Sequence, residues 1–181
     1  PTLSVWLWLE QQNLAPVARH LDVAHVDWNH FKTSKHEPGR LVLPEIRALH
    51  ERLSRLSVTH VLMFPWLKHG GADKASIAYV KALSESEGVK VLVITTEDAD
   101  SPWLKALGAG TTVIEWGRLV KWQGSTQAVD NLAWLLQRIQ PEVIHVINAW
   151  LGWELLKVHG ARLHALSRVF DAAHLVHCVS E

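Results

Sequence analysis

VTHVLMFPWLKHGGADK, residues 58–74, is the stretch on which the reading of the fold turns. Its first seven residues, apolar apart from Thr59 and His60, form a run of strand length. Pro65 ends the run, and Gly70 and Gly71 mark a turn before a helical pattern begins. A strand without a polar face is one covered on both sides, as in parallel sheets. The segment therefore reads as the strand, turn and helix that open a βαβ unit.

Downstream the same alternation repeats. Residues 72–86 are helical, with Ala75, Ala78, Tyr79 and Ala82 on one stripe and Gly88 as the stop. The run VKVLVIT, 89–95, is the next strand. A short helix starts at Ser101 with Pro102 in its first position and closes at Gly108. TTVIEW, 111–116, is a third strand, and 125–140 is an amphipathic helix with Val129, Leu132, Ala133, Leu136 and Ile139 facing inward. Pro141 ends that helix, VIHVINA at 143–149 is a fourth strand, a helix spans 152–168, and 173–179 is a candidate fifth strand. Strands alternating with helices across short links predict an α/β three-layer, Rossmann-like domain over 58–181. Its sheet should be mainly parallel, with 58–64 inside it rather than at an edge.

Upstream the pattern is patchier. Apolar stretches at 3–9 and 21–28 precede a polar loop, and a helix is expected over 44–56, where Ile46, Leu49, Leu53 and Leu56 recur at helical spacing. Residues 1–57 read as an N-terminal arm or extra layer. Pro1 in place of an initiating Met, and the end at Glu181, read as cuts in a longer chain. Pro1 to Ser4 carry no basic run, so no secretory signal is expected, and no apolar run approaches the ~18 residues that span a bilayer.

Composition bounds the function classes. Eighteen basic residues balance eighteen acidic ones, which excludes the basic excess of a dedicated nucleic-acid binder. The single cysteine, Cys178, allows no intrachain disulfide and no Cys-based zinc cluster. Among twelve histidines there is no His-Glu-x-x-His. His174 and His177 would point to opposite faces of a strand, so no metal site is expected. His145, inside an apolar strand, reads as a core histidine, whereas His69 beside the glycines is a candidate ligand contact. No Gly-x-Ser-x-Gly elbow occurs. Ten tryptophans suit core and interface rings, and an exposed one would suit stacking against a sugar.

Gly70 and Gly71 carry two readings. One is a tight turn that needs a positive φ. The other is a place where a phosphate or sugar oxygen meets backbone N–H groups at a helix N-terminus. In an open α/β sheet, the carboxyl end of a strand is where ligands bind. The segment lacks the Gly-x-Gly-x-x-Gly dinucleotide fingerprint and the Gly-Lys-Ser/Thr of a Walker loop. Asp98 and Asp100 follow the second strand within ligand reach, although Asp100-Ser101-Pro102 also reads as a helix cap.

The run His69-Gly70-Gly71-Ala72-Asp73, the helix over 75–83 and Gly88-Val89-Lys90-Val91 resemble the opening of retaining GT-B glycosyltransferases of the family 4 type. There, Gly-Gly-Ala-Glu precedes a helix that ends before Gly-His-x-Val. Pro141-Glu142-Val143-Ile144-His145-Val146 is similar to that family's Pro-Asp-Val-Val-His-Val. The resemblance covers about 58–180 and implies the N-terminal, acceptor-side half of a two-domain enzyme. Such an enzyme moves a sugar from a nucleotide-sugar donor to a glycan or lipid-linked acceptor, as in polysaccharide biosynthesis, without a metal or other cofactor. It would work in the cytoplasm, with peripheral contact to the inner face of the membrane as a further expectation. The donor and acceptor contacts implied here are Lys68, His69, Gly70, Gly71, Asp98, Asn148 and Trp150. The catalytic residues are not implied by this half.

The chain departs from the family pattern in three ways. Asp73 replaces the usual Glu, and Ile147 stands where many relatives have a second His, with Asn148 beside it as a polar substitute. The Glu-x7-Glu signature of the donor half would lie beyond residue 181. Glu37 and Glu45 share its spacing but precede the sheet. Two alternatives stay open: another nucleotide-binding Rossmann-like enzyme, and a non-catalytic interaction module.

Overall fold

A computed structural model describes residues 44–68 and 70–173. The chain divides into two compact units, 1–48 and 49–181. The apolar stretches at 3–9 and 21–28, Glu37, His69, His174, His177 and Cys178 lie outside the described residues.

The elements run α1 (Pro44–Ser54), β1 (His60–Phe64), α2 (Gly71–Ser84), β2 (Val91–Thr95), a 3-10 turn (Pro102–Ala106), β3 (Thr111–Glu115), α3 (Trp116–Leu119), α4 (Ser125–Ile139), β4 (Val143–Ile147), α5 (Trp150–His164) and β5 (Arg168–Ala172). The five strands form one sheet in the order β3-β2-β1-β4-β5, and every pairing is parallel. The fold is therefore the expected α/β three-layer, Rossmann-like domain. β1 is the central strand, and four of its five residues are fully buried.

Alternation along the strands divides the core between two faces. Leu62, Phe64, Val91, Val93 and Ile147 face α2, where Val80 and Leu67 close over them and Trp103 and Leu104 of the 3-10 turn, with Leu107 just after it, pack alongside. On the opposite face α5 lies close against Val146: a Cβ on Gly152 would stand 2.6 Å from Val146 Cγ1. α4 packs against α5, and His159 Nε2 meets Asp130 Oδ1 across them at 2.8 Å. Leu49 and Leu53 of α1 are buried, and the His50 ring sits edge-on to Trp134 of α4, 5.5 Å between centroids.

Four local expectations need correction. The fifth strand is Arg168–Ala172 instead of 173–179, and the helix before it ends at His164. β5 is an edge strand with three of five residues exposed, so it never needed the continuous apolar run that marks a covered strand. Trp116 starts α3 rather than ending β3, and its ring is fully buried. The short helix after Ser101 is present with Pro102 in its first position, but it is 3-10 in form and ends at Ala106. Its Ser101 hydroxyl does not cap that turn but accepts the Leu67 N–H at 3.3 Å.

His60, at the amino end of β1, titrates below its ordinary range. Burial is the main cause, Glu142 opposes it and Arg168 adds to it. As pH falls through ~6.5 the unfolded chain takes up this proton before the folded chain does. The contribution is thus complete above that pH and is lost as pH falls below it. Thermal midpoints of His60→Gln and the parent chain, compared between about pH 7.5 and pH 5.5, should show the smaller acid-side loss in the variant. Parallel curves would mean that His60 is not linked to folding.

Candidate functional site

At the carboxyl edge of the sheet the strands do not end together. β1 stays bound to β2 beyond the strands: Phe64 pairs with Thr95, Thr96 N donates to Phe64 O at 2.9 Å, and Glu97 N donates to Pro65 O at 3.1 Å. Trp103 N then donates to Leu67 O at 3.1 Å. Toward β4 the ladder stops earlier, at Met63 and Val146. β4 instead continues with β5, through Ile147 paired with Ala172 and Asn148 N donating to Ala172 O at 3.0 Å. The sheet therefore parts between β1 and β4. That is also where the strand order reverses, since β1 to β3 run outward to one side while β4 and β5 run to the other. Ligands in open α/β folds sit at such a switch point.

The exit from β1 on one side of this parting holds the glycine turn. Gly70 is the N-cap of α2 at φ 124°, ψ 170°, a region closed to residues with a Cβ. Its neighbour Gly71 opens α2 without a positive φ, and a Cβ there would meet nothing within 4 Å. No side chain caps the N-terminus of α2. Asp73 is not the N-cap. It sits in the first turn, where its Oδ2 accepts the Lys68 N–H at 2.8 Å and holds the loop closed. Lys68 is half-buried, with Nζ 4.4 Å from the centre of the Trp66 ring.

On the other side of the parting, Asn148 takes a left-handed conformation, φ 52°, which Asn tolerates better than most residues. Trp150 follows at the start of α5, exposed and perpendicular to Trp153 at 6.3 Å between ring centres. Asp98 lies in the exit from β2, on the far side of β1 from β4, and is exposed. By strand order, then, Lys68, Gly70 and Gly71 follow β1 on one side of the parting and Asn148 and Trp150 follow β4 on the other, while Asp98 follows β2, one strand further away. Asp100 is drawn into an ion pair with Arg118, which also reaches Glu115 at 3.1 Å.

Sequence reasoning missed two features of this rim. The Thr95 hydroxyl, at the end of β2, is buried with no partner among the described residues. Gly117 brings α3 so close to the β2 exit that a Cβ would stand 2.2 Å from the Glu97 carbonyl carbon. His145 is half-buried, not a core residue: its ring meets Tyr79 and Phe170 at 5.6 and 6.1 Å, and Nδ1 is 3.3 Å from the Tyr79 hydroxyl.

Among the described residues no cluster of three or more His, Cys, Asp or Glu could hold a metal ion. No described helix is long and apolar enough to cross a membrane. Comparison with protein-family models, curated proteins and solved structures gave no match to this chain.

Proposed function

We propose that this chain is the acceptor-side half of a two-domain retaining glycosyltransferase of the GT-B kind. The observation that carries the reading is the glycine turn at the switch point. Gly70 adopts a conformation reserved for glycine, Gly71 leaves open space over the first N–H groups of a 14-residue helix, and β4 turns away opposite them. The motif resemblance around Gly70–Asp73 and Pro141–Val146 adds the sugar chemistry to that geometry.

In the proposed reaction the bond between the donor's anomeric carbon and the diphosphate breaks. The acceptor oxygen bonds to that carbon, and its proton leaves to the departing diphosphate. Charge grows on the diphosphate as its bond to the sugar breaks. N–H groups at the start of α2, with Lys68 beside them, are the groups of this half suited to stabilise it. Asn148 and Trp150 would face the acceptor across the parting. A second domain would bring the nucleotide.

The test compares the full-length protein with residues 1–181 alone, using a panel of nucleotide sugars and glycan acceptors. The full-length protein should transfer sugar and the isolated chain should not, because reacting geometry needs both walls of the cleft. Robust turnover by residues 1–181, or a full-length protein without a second α/β domain, would overturn the reading.

A further inference from the structure

Three described tryptophans are substantially exposed: Trp66 at 38%, Trp122 at 86% and Trp150 at 65%. All three lie at the carboxyl end of the sheet. Trp66 is in the exit from β1, Trp122 in the link from α3 to α4 that follows β3, and Trp150 just after β4. The links at the amino end of the sheet carry no tryptophan. Exposing an indole forgoes the burial of ~150–250 Å² of largely apolar surface, so three on one rim mark a surface that meets something.

The three rings are not equivalent. Lys68 Nζ lies over the Trp66 ring, and Lys121 Nζ lies 4.9 Å from the centre of the Trp122 ring. Trp150 instead contacts Trp153 at right angles, 81° between ring planes, which orients the indole and leaves a ring face to solvent. Asn148, two residues before Trp150, provides a polar amide where β4 leaves the sheet, and the Trp153 Nε1–H is buried with no partner among the described residues.

An ordered aromatic face beside polar groups suits a pyranose ring, whose axial C–H groups lie on the indole while its hydroxyls hydrogen-bond at the edge. A lipid surface fits less well. The lysines that would attract anionic headgroups lie over Trp66 and Trp122, Asp100 is paired with Arg118, and the exposed Asp98 on the same rim would repel such headgroups. We infer that Trp150 is the stacking floor of a neutral-sugar subsite, and hence that the acceptor of this half presents a pyranose to it. The sugar site stands on the rim itself; its assignment to the acceptor rests on the transferase reading above.

The test uses this chain labelled with 15N at the tryptophan indoles, the Trp150 signal being the one lost in Trp150→Phe. Gluco-, galacto- and manno-configured disaccharides are added to about 10 mM, enough to fill a site with Kd ~1 mM. At least one should move the Trp150 signal. Trp150→Ala should weaken that binding ~10-fold or more, about 1.4 kcal/mol, without lowering the melting temperature, and Trp150→Phe should retain most of it. The inference is overturned if no disaccharide moves the signal. It is equally overturned if a nucleoside diphosphate or vesicles of phosphatidylcholine and phosphatidylglycerol move it and the sugars do not. Because donor and turnover are absent from the titration, sugar binding without transfer by the full-length protein would sink the transferase and leave the subsite. Transfer without binding here would do the reverse.

Discussion

Gly117→Ala should destabilise the domain by at least about 4 kcal/mol, a large part of the ~5–15 kcal/mol that holds a domain of this size together. The added Cβ would stand 2.2 Å from the carbonyl carbon of Glu97, 2.4 Å from its oxygen and 2.6 Å from Asp98 N. All three are backbone atoms, so no side-chain rotation relieves the clash. Neither partner can retreat cheaply. The Glu97 backbone is held by its bond to Pro65 O and by the neighbouring bond from Thr96 to Phe64 O. α3 is anchored by Trp116, wholly buried one residue earlier. Gly152→Ala should rank second, because its clash is with the branched tip of Val146, at 2.6 Å. Gly110→Ala, whose Cβ meets nothing within 4 Å, should stay within about 1 kcal/mol of the parent. Urea midpoints and soluble yield measure the series. A Gly117→Ala chain as stable as Gly110→Ala would mean that α3 does not pack on the β2 exit.

That glycine also marks the boundary of what the sequence discloses. Central strands are legible because burial on both faces demands an apolar run, which β1 and β2 have and β4 has apart from the half-buried His145. Their alternation with helices then leaves few parallel orders. The need for glycine at 117 arises from the distance between segments twenty residues apart, and no local pattern encodes that distance. The same holds for β5, where one uncovered edge relaxes the composition. It holds too for Trp116, whose indole completes an apolar run while its backbone already turns into α3.

The candidate site was legible in part for a related reason. A glycine pair after a strand can be read in place, but only the strand order shows that β4 parts from β1 opposite it. Asp73 could be read only as standing where the family has Glu, because its partner, the Lys68 N–H, depends on how the loop folds back. Composition counts tryptophans without separating a buried Trp116 from an exposed Trp150.

On the proposed transferase reading, Gly71→Ala should cut kcat/KM of the full-length protein at least ~100-fold, equivalent to about 2.7 kcal/mol of lost transition-state binding. In this chain the substitution is nearly free of structural cost. Gly71 has no positive φ, a Cβ there meets nothing within 4 Å, and Ala is the better helix former. Any penalty must therefore come from what approaches the turn from outside. A diphosphate drawn against the N–H groups of Gly71 and Ala72 would meet that methyl group, and most strongly when its charge is greatest. The loss should consequently fall on kcat as well as on KM. Asp73→Ala serves as the contrasting variant. It removes the acceptor of the Lys68 N–H bond and should lower stability by about 1 kcal/mol. Thermal unfolding and turnover measured on both variants separate the two readings of this turn. If Gly71→Ala keeps full activity per folded molecule, the glycine pair only shapes the chain, and the phosphate side of the proposed cleft must be sought elsewhere.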